Sequence, residues 1–166
     1  MTGSIFPSPL LRLAEVTLAE ARARRLKLAT AESCTGGLVA GLLTEIAGSS
    51  DVFERGFVTY SNTAKRDLLG VPGDLLADFG AVSEPVVRSM ADGALTFSKA
   101  DVSVAITGVA GPGGGTPMKP VGHVHFAAAR RGRGVIHEMH RFGDLGRERV
   151  RLVSIETALN LMQRLF

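Results

Sequence analysis

The short apolar run "LKLATA" at residues 26–31 reads as a buried strand, and "ESCTGG" follows it at once. A long apolar stretch comes next and is stopped by Gly48, which predicts a helix over 35–47. Strand, tight turn and helix in that order form a βα unit. Such units assemble into largely parallel sheets covered by helices on both faces.

The rest of the chain keeps the alternation. Residues 8–25 place Leu11, Ala14, Leu18 and Ala21 at helical spacing. "VFERGFVTY" (52–60) is strand-like, and "SNTAKRDLLG" (61–70) reads as a helix capped by Ser61 and stopped by Gly70. Ser83 is expected to cap a further helix whose first turn holds Pro85. "DVSVAITG" (101–108) is a second buried strand and leads into the loop "GVAGPGGGTPMKPVG" (108–122). "HVHFAAAR" and "VIHEMHRF" flank "RGRG" as a β-hairpin. From Arg147 an amphipathic helix carries Val150, Val153, Ile155, Leu159 and Leu165. No repeat or low-complexity block divides residues 1–166, so a single domain is expected. Its predicted class is α/β: a three-layer α/β/α sandwich on a mixed, mostly parallel sheet of about five strands, the C-terminal hairpin included.

Composition narrows the partners. No apolar run approaches the roughly 18–20 residues that span a bilayer, and "MTGSIFPSPLL" lacks the pattern of a signal peptide. One cysteine excludes an internal disulfide, so a cytoplasmic protein without a membrane partner is expected. The net charge is +3, but the basic residues are scattered over "ARARR", "RRGR" and "RERVR", beside a single tyrosine. That pattern speaks against nucleic acid and for a small anionic ligand.

Open α/β sheets collect ligands at the carboxyl ends of their strands and at helix N-termini. The helix predicted over 35–47 would therefore offer amides to an anion just after Ser33. From spacing alone the stronger reading of Ser33 or Thr35 is a helix cap. Three features favour chemistry instead. "GPGGGTP" is a second glycine cluster behind a buried strand, yet it is neither a Walker phosphate loop nor G-x-G-x-x-G. Tyr60 ends a strand, and Lys65 sits early in a helix, where the dipole disfavours a cation. Arg147 and Arg151 lie four apart on one helix face, spaced to clamp a phosphate or to face solvent.

"TAESCTGGLVAGLL", "YSNTAKRDLLGV", "AVSEPVV", "MADGAL", "AITGVAGPGGGTPMKPVGHVHFA" and "RERVR", in this order, resemble the C-terminal domain family of the competence-damage-inducible protein CinA. The resemblance runs from about residue 10 to the C-terminus. Standalone members of that family are nicotinamide-nucleotide amidohydrolases on an α/β/α fold. The resemblance implies hydrolysis of nicotinamide mononucleotide to nicotinate mononucleotide and ammonia. It casts Ser33 as nucleophile, with Tyr60 and Lys65 as its activating partners, and implies a substrate site of Glu32, Thr35, Gly36, Gly37, Thr107, Gly108, Gly111, Gly113, Gly114 and Arg147. Family members often carry a compact Gly-Asp-Arg before the last helix. Here "GDLGRERVR" displaces Gly143 and Asp144 from Arg147, which leaves Arg147 and Arg151 both open as the ligand arginine. The small-molecule nucleotide is the implied partner; no cofactor is implied, and a homodimer is allowed. The separate N-terminal domain of full-length CinA proteins lies outside the resemblance.

The chemistry matches those residues. Amide hydrolysis needs a nucleophile, a base, donors for the oxyanion and an acid for the departing ammonia. Burial lowers a lysine pKa enough to make it a base, Tyr60 is placed to relay a proton, and amides starting the 35–47 helix would form the oxyanion hole. Two rivals compete. Cys34 adjoins Ser33 at a helix start that can activate a thiol. His123 and His125 share a strand face, and hairpin pairing would bring His140 near as a metal geometry, but no carboxylate or cysteine completes the set and no metal is expected. The other functions to weigh are a serine amide or ester hydrolase on another nucleotide-like substrate, and a nucleotide-binding module without turnover.

Overall fold

A computed structural model describes residues 3–166; Met1 and Thr2, at the start of the span expected to form one domain, lie outside the described residues. In chain order the elements are α1 (Ser8–Ala23), β1 (Leu28–Glu32), α2 (Leu38–Glu45), a 3₁₀ turn (Ser49–Asp51), β2 (Phe53–Val58) and α3 (Asn62–Leu69). There follow α4 (Gly73–Phe79), α5 (Glu84–Thr96), β3 (Val102–Gly108), β4 (His123–Arg130), β5 (Gly134–Arg141) and α6 (Arg147–Gln163).

The five strands form one mixed sheet in the order β2-β1-β3-β4-β5. β1 pairs parallel with both β2 and β3, while β4 runs antiparallel to β3 and β5. Four of the five strands therefore point the same way. The central strands β1 and β3 are buried along nearly their whole length, which explains their unbroken apolar runs. The expected α/β/α sandwich with its C-terminal hairpin is thus the observed architecture.

Side chains at alternate positions of the sheet feed two cores. Leu28, Val104 and Phe126 face α1, α2 and α6, where Leu18, Leu42 and Ile155 meet them. Ala29, Ala31, Ala105 and Ala127 face α5, and their small size lets that helix lie close to the sheet. Gly93 of α5 extends the economy: a Cβ there would sit 2.1 Å from the carbonyl oxygen of Leu69. A larger residue at 93 would push away α3, the helix that carries Lys65. Among the described residues no helix is long and apolar enough to cross a membrane.

Four local expectations need correction. The helix predicted over 35–47 begins only at Leu38, because Gly36 (φ +58°) and Gly37 (φ +96°) enter left-handed backbone and hold residues 34–37 in a turn. Ser83 does precede α5, and Pro85 lies in its first turn, yet the Ser83 hydroxyl gives no cap and donates back to the Gly80 carbonyl at 2.8 Å. The seven-residue α4 was not foreseen; it buries only Leu76, too little for a visible period. On α6, Val150, Ile155 and Leu159 are buried as expected, whereas Val153 stays partly exposed, Leu165 lies beyond the helix end at Gln163, and Ser154, Ala158, Leu161 and Met162 go inside.

Candidate active site

Strand direction alone gathers the polar residues. β1, β2 and β3 all end at one sheet edge, delivering Ser33, Tyr60 and Thr107–Gly108 there. β1 is also where the chain order reverses: the connection from β1 to β2 runs through α2 on one face, and the connection from β2 to β3 through α5 on the other. Such a switch point leaves a crevice at the strand ends. A cleft of about 280 Å³ occupies it, with Ser33, Tyr60, Lys65, Thr107 and Arg147 on its walls. Gly108, Gly111, Gly113 and Gly114 add to the lining, as does Cys34 beside Ser33.

Ser61 caps α3, its hydroxyl accepting from the Ala64 amide at 3.0 Å, and the first turn then carries Lys65 inward. Lys65 is 1% exposed. Its Nζ lies 3.0 Å from Ser33 Oγ and donates to the Thr59 carbonyl at 2.8 Å. Burial pushes this amine below its ordinary value. Among the described residues no carboxylate forms an ion pair with it, and the neighbouring Cys34 opposes the effect of burial only in part. A neutral amine within hydrogen-bond reach of a serine hydroxyl can take its proton.

The residues expected around the start of α2 are placed differently. Glu32 is fully buried, and its carboxylate accepts from the Val39 and Ala40 amides at 2.9 and 3.1 Å. Burial pushes its carboxyl up, while those amides pull the other way. The α2 N-terminus is therefore filled by the chain's own carboxyl group, and the expectation that its amides receive a ligand or an oxyanion is corrected. Thr35 is buried, its hydroxyl near the Glu32 carboxyl but in no well-formed hydrogen bond, and Gly36 and Gly37 shape the turn. Glu32, Thr35, Gly36 and Gly37 are not on the cleft wall. Among the described residues the turn amides of Cys34, Thr35 and Gly37 make no backbone hydrogen bond, and that of Gly37 lies toward the Glu32 carboxyl.

The two arginines separate. Arg147 lines the cleft, donating to the Gly111 carbonyl at 2.8 Å and to the Tyr60 hydroxyl at 3.0 Å. Arg151, one turn on, donates instead to the carbonyls of Cys34 and Thr35 at 3.1 and 3.2 Å. The two therefore form no joint clamp. Tyr60 is 61% exposed at the rim and makes no hydrogen bond to Lys65. Thr107 donates its hydroxyl to the Ala81 carbonyl at 2.9 Å and so pins the 80–83 loop over the cleft. That loop contributes Ala81 and Val82 to the wall, and α3 contributes Asn62. In the sequence, "AVSEPVV" holds the only signal for that loop, and no local pattern marks Asn62.

Cys34 is buried, and desolvation pushes its thiol up to about 12, so it stays protonated. The histidine geometry also differs from expectation. His123 and His125 meet at 3.0 Å, and His125 meets His137 at 2.9 Å, on the α5 face of the hairpin. His140 points to the opposite face, against Glu138 and Phe126, because it pairs with Val124. Among the described residues no group of three or more His, Cys, Asp or Glu is arranged to hold a metal ion.

Comparison with known proteins follows the same lines. The CinA C-terminal domain family matches residues 10–166. The chain is 50% identical over 160 residues to the nicotinamide-nucleotide amidohydrolase PncC of Escherichia coli K12, covering 96% of each. It is 64% identical over 110 residues to a putative competence-damage inducible protein of Symbiobacterium thermophilum, of which it spans only 26%. A crystal structure of the competence/damage inducible protein CihA from Agrobacterium tumefaciens superposes with a TM-score of 0.96 at 52% identity, covering 98% of this chain and 99% of that one. Motif order, sheet topology and these likenesses coincide over nearly the whole chain, which belongs to the CinA C-terminal domain family.

Proposed function

We propose that this protein is an amidohydrolase that converts nicotinamide mononucleotide and water into nicotinate mononucleotide and ammonia, with Ser33 as nucleophile. The contact between Ser33 and a buried Lys65 is the observation that carries the reading. The likeness to PncC over 96% of both chains supports the substrate class.

Lys65 takes the hydroxyl proton as Ser33 Oγ attacks the carboxamide carbon, and the resulting ammonium returns that proton to the departing nitrogen. Water then hydrolyses the Ser33 ester by the same route in reverse. The Cys34 amide, next to the nucleophile and without a partner, is the donor for the oxyanion. Arg147 and the glycine-loop amides suit the phosphate, and Tyr60, held by Arg147 and not by Lys65, suits substrate positioning. The single buried, unpaired cysteine supports a reducing, cytoplasmic setting.

Ammonia release by the purified protein from nicotinamide mononucleotide, the riboside and free nicotinamide tests the reading. Turnover of the mononucleotide above the other two is expected. No release from the mononucleotide overturns it.

A further inference from the structure

Arg151 does not line the cleft, and its two hydrogen bonds, from Nε and Nη2, both go to carbonyls of the turn that presents Ser33. Among the described residues it makes no ion pair with a carboxylate, so its charge is not neutralised by a neighbour. We propose that Arg151 is a positioning residue for the hydrolysis, one that fixes and polarises the Cys34 amide that meets the oxyanion; this rests on Ser33 acting as the nucleophile.

The link is a chain of peptide groups. Arg151 Nη2 donates to the Thr35 carbonyl at 3.2 Å. The same peptide unit carries the Gly36 amide, which donates to the Ser33 carbonyl at 3.0 Å. That second unit carries the Cys34 amide, which has no partner of its own. A charged donor at the head of such a chain draws electron density along it, and each successive N–H becomes a better donor. Arg151 Nε acts in parallel on the Cys34 carbonyl at 3.1 Å, whose peptide carries the Thr35 amide. Gly36 suits the turn through its left-handed backbone (φ +58°), and Arg151 Nη2 lies in ordinary contact distance of where a Cβ would stand. Arg147 thus faces the ligand while Arg151, one turn along α6, acts through the backbone.

The test compares Arg151→Gln, which keeps a donor without charge, with Arg151→Lys and Arg147→Ala. For Arg151→Gln on nicotinamide mononucleotide, kcat is expected to fall about tenfold with KM held within about twofold, and Arg151→Lys to recover part of it. The Cys34 amide proton should move upfield in ¹H–¹⁵N spectra when the charge is removed. An unchanged kcat, a KM rise like that of Arg147→Ala with kcat retained, or an unmoved Cys34 resonance overturns the proposal. Should Arg151→Gln fail to fold, Arg151→Lys takes its place. It keeps the charge but cannot reach both carbonyls with a planar fork, so it is expected to lower kcat less with KM unchanged, and a wild-type kcat in it overturns the proposal. Failure of wild type on the mononucleotide refutes that substrate alone. Arg151 is then judged by the Cys34 resonance and by the ratio of variant to wild-type rates of Ser33 labelling by a fluorophosphonate, with equal rates overturning it.

Discussion

Lys65 Nζ lies 3.0 Å from Ser33 Oγ, with the Thr59 carbonyl as its other partner. Because burial lowers the Lys65 pKa, the folded state favours the neutral amine, and the unfolded chain binds more protons below 10.5. Stability from this group is full above 10.5 and is lost as pH falls towards the lowered folded value. Lys65→Met should therefore raise the melting temperature at neutral pH while reducing kcat by about a thousandfold or more. The wild-type rate should fall on the acid side as the amine takes up a proton. A destabilised but active Lys65→Met protein would refute the role of base.

Ser33→Ala should remove turnover and leave nucleotide affinity nearly unchanged, since only the attacking oxygen is lost. Cys34→Ala should keep most of the activity, because the thiol is held protonated near 12. Isothermal titration beside ammonia release checks both. The reverse pattern would make the cysteine the nucleophile.

Loss of the substrate's phosphate should cost at least about a hundredfold in kcat/KM, given roughly 1.5–3 kcal/mol for each charge-assisted hydrogen bond. Arg147→Ala should narrow the gap between mononucleotide and riboside by weakening only the former. Equal efficiency of wild type on the two would mean that the loop and Arg147 hold no anion.

Glu32 tests the interior of the turn. Glu32→Ala leaves the Val39 and Ala40 amides buried without their acceptor and should cost about 2–4 kcal/mol in chemical denaturation. Glu32→Gln, which keeps one oxygen, should cost less. Stability unchanged in both would show that the carboxylate does not hold α2.

His125 is pushed down to about 4, chiefly by burial and then by His123 and His137. Its stabilising share is complete above 6.5 and fades as pH falls from 6.5 to about 4, because the unfolded chain then binds the extra proton. The melting temperature of wild type should drop over that window, and His125→Gln should flatten the drop. An equally steep drop in the variant would assign acid sensitivity elsewhere.

Much of the fold was legible because it depends on local pattern. The unbroken apolarity of β1 and β3, the Ser61 and Gly70 stops of α3 and the turn of the β4–β5 hairpin are written in adjacent residues. The seven-residue α4 and the shifted start of α2 were not, since one buries a single residue and the other depends on the φ of two glycines.

Sequence by itself determined the alternating elements, the glycine loop and the residue types that an amide hydrolase needs. Tertiary structure decided their partners. Spacing along a chain gives a side chain's face but not what approaches it from a distant element. Only the packing of α2 on β1 gave its amides to Glu32, and only the approach of α6 divided Arg147 from Arg151 between the cleft and the turn after Ser33. Only the closure of α3 over the strand ends buried Lys65 against Ser33, and that desolvation lowers the pKa of a residue usually found at the surface.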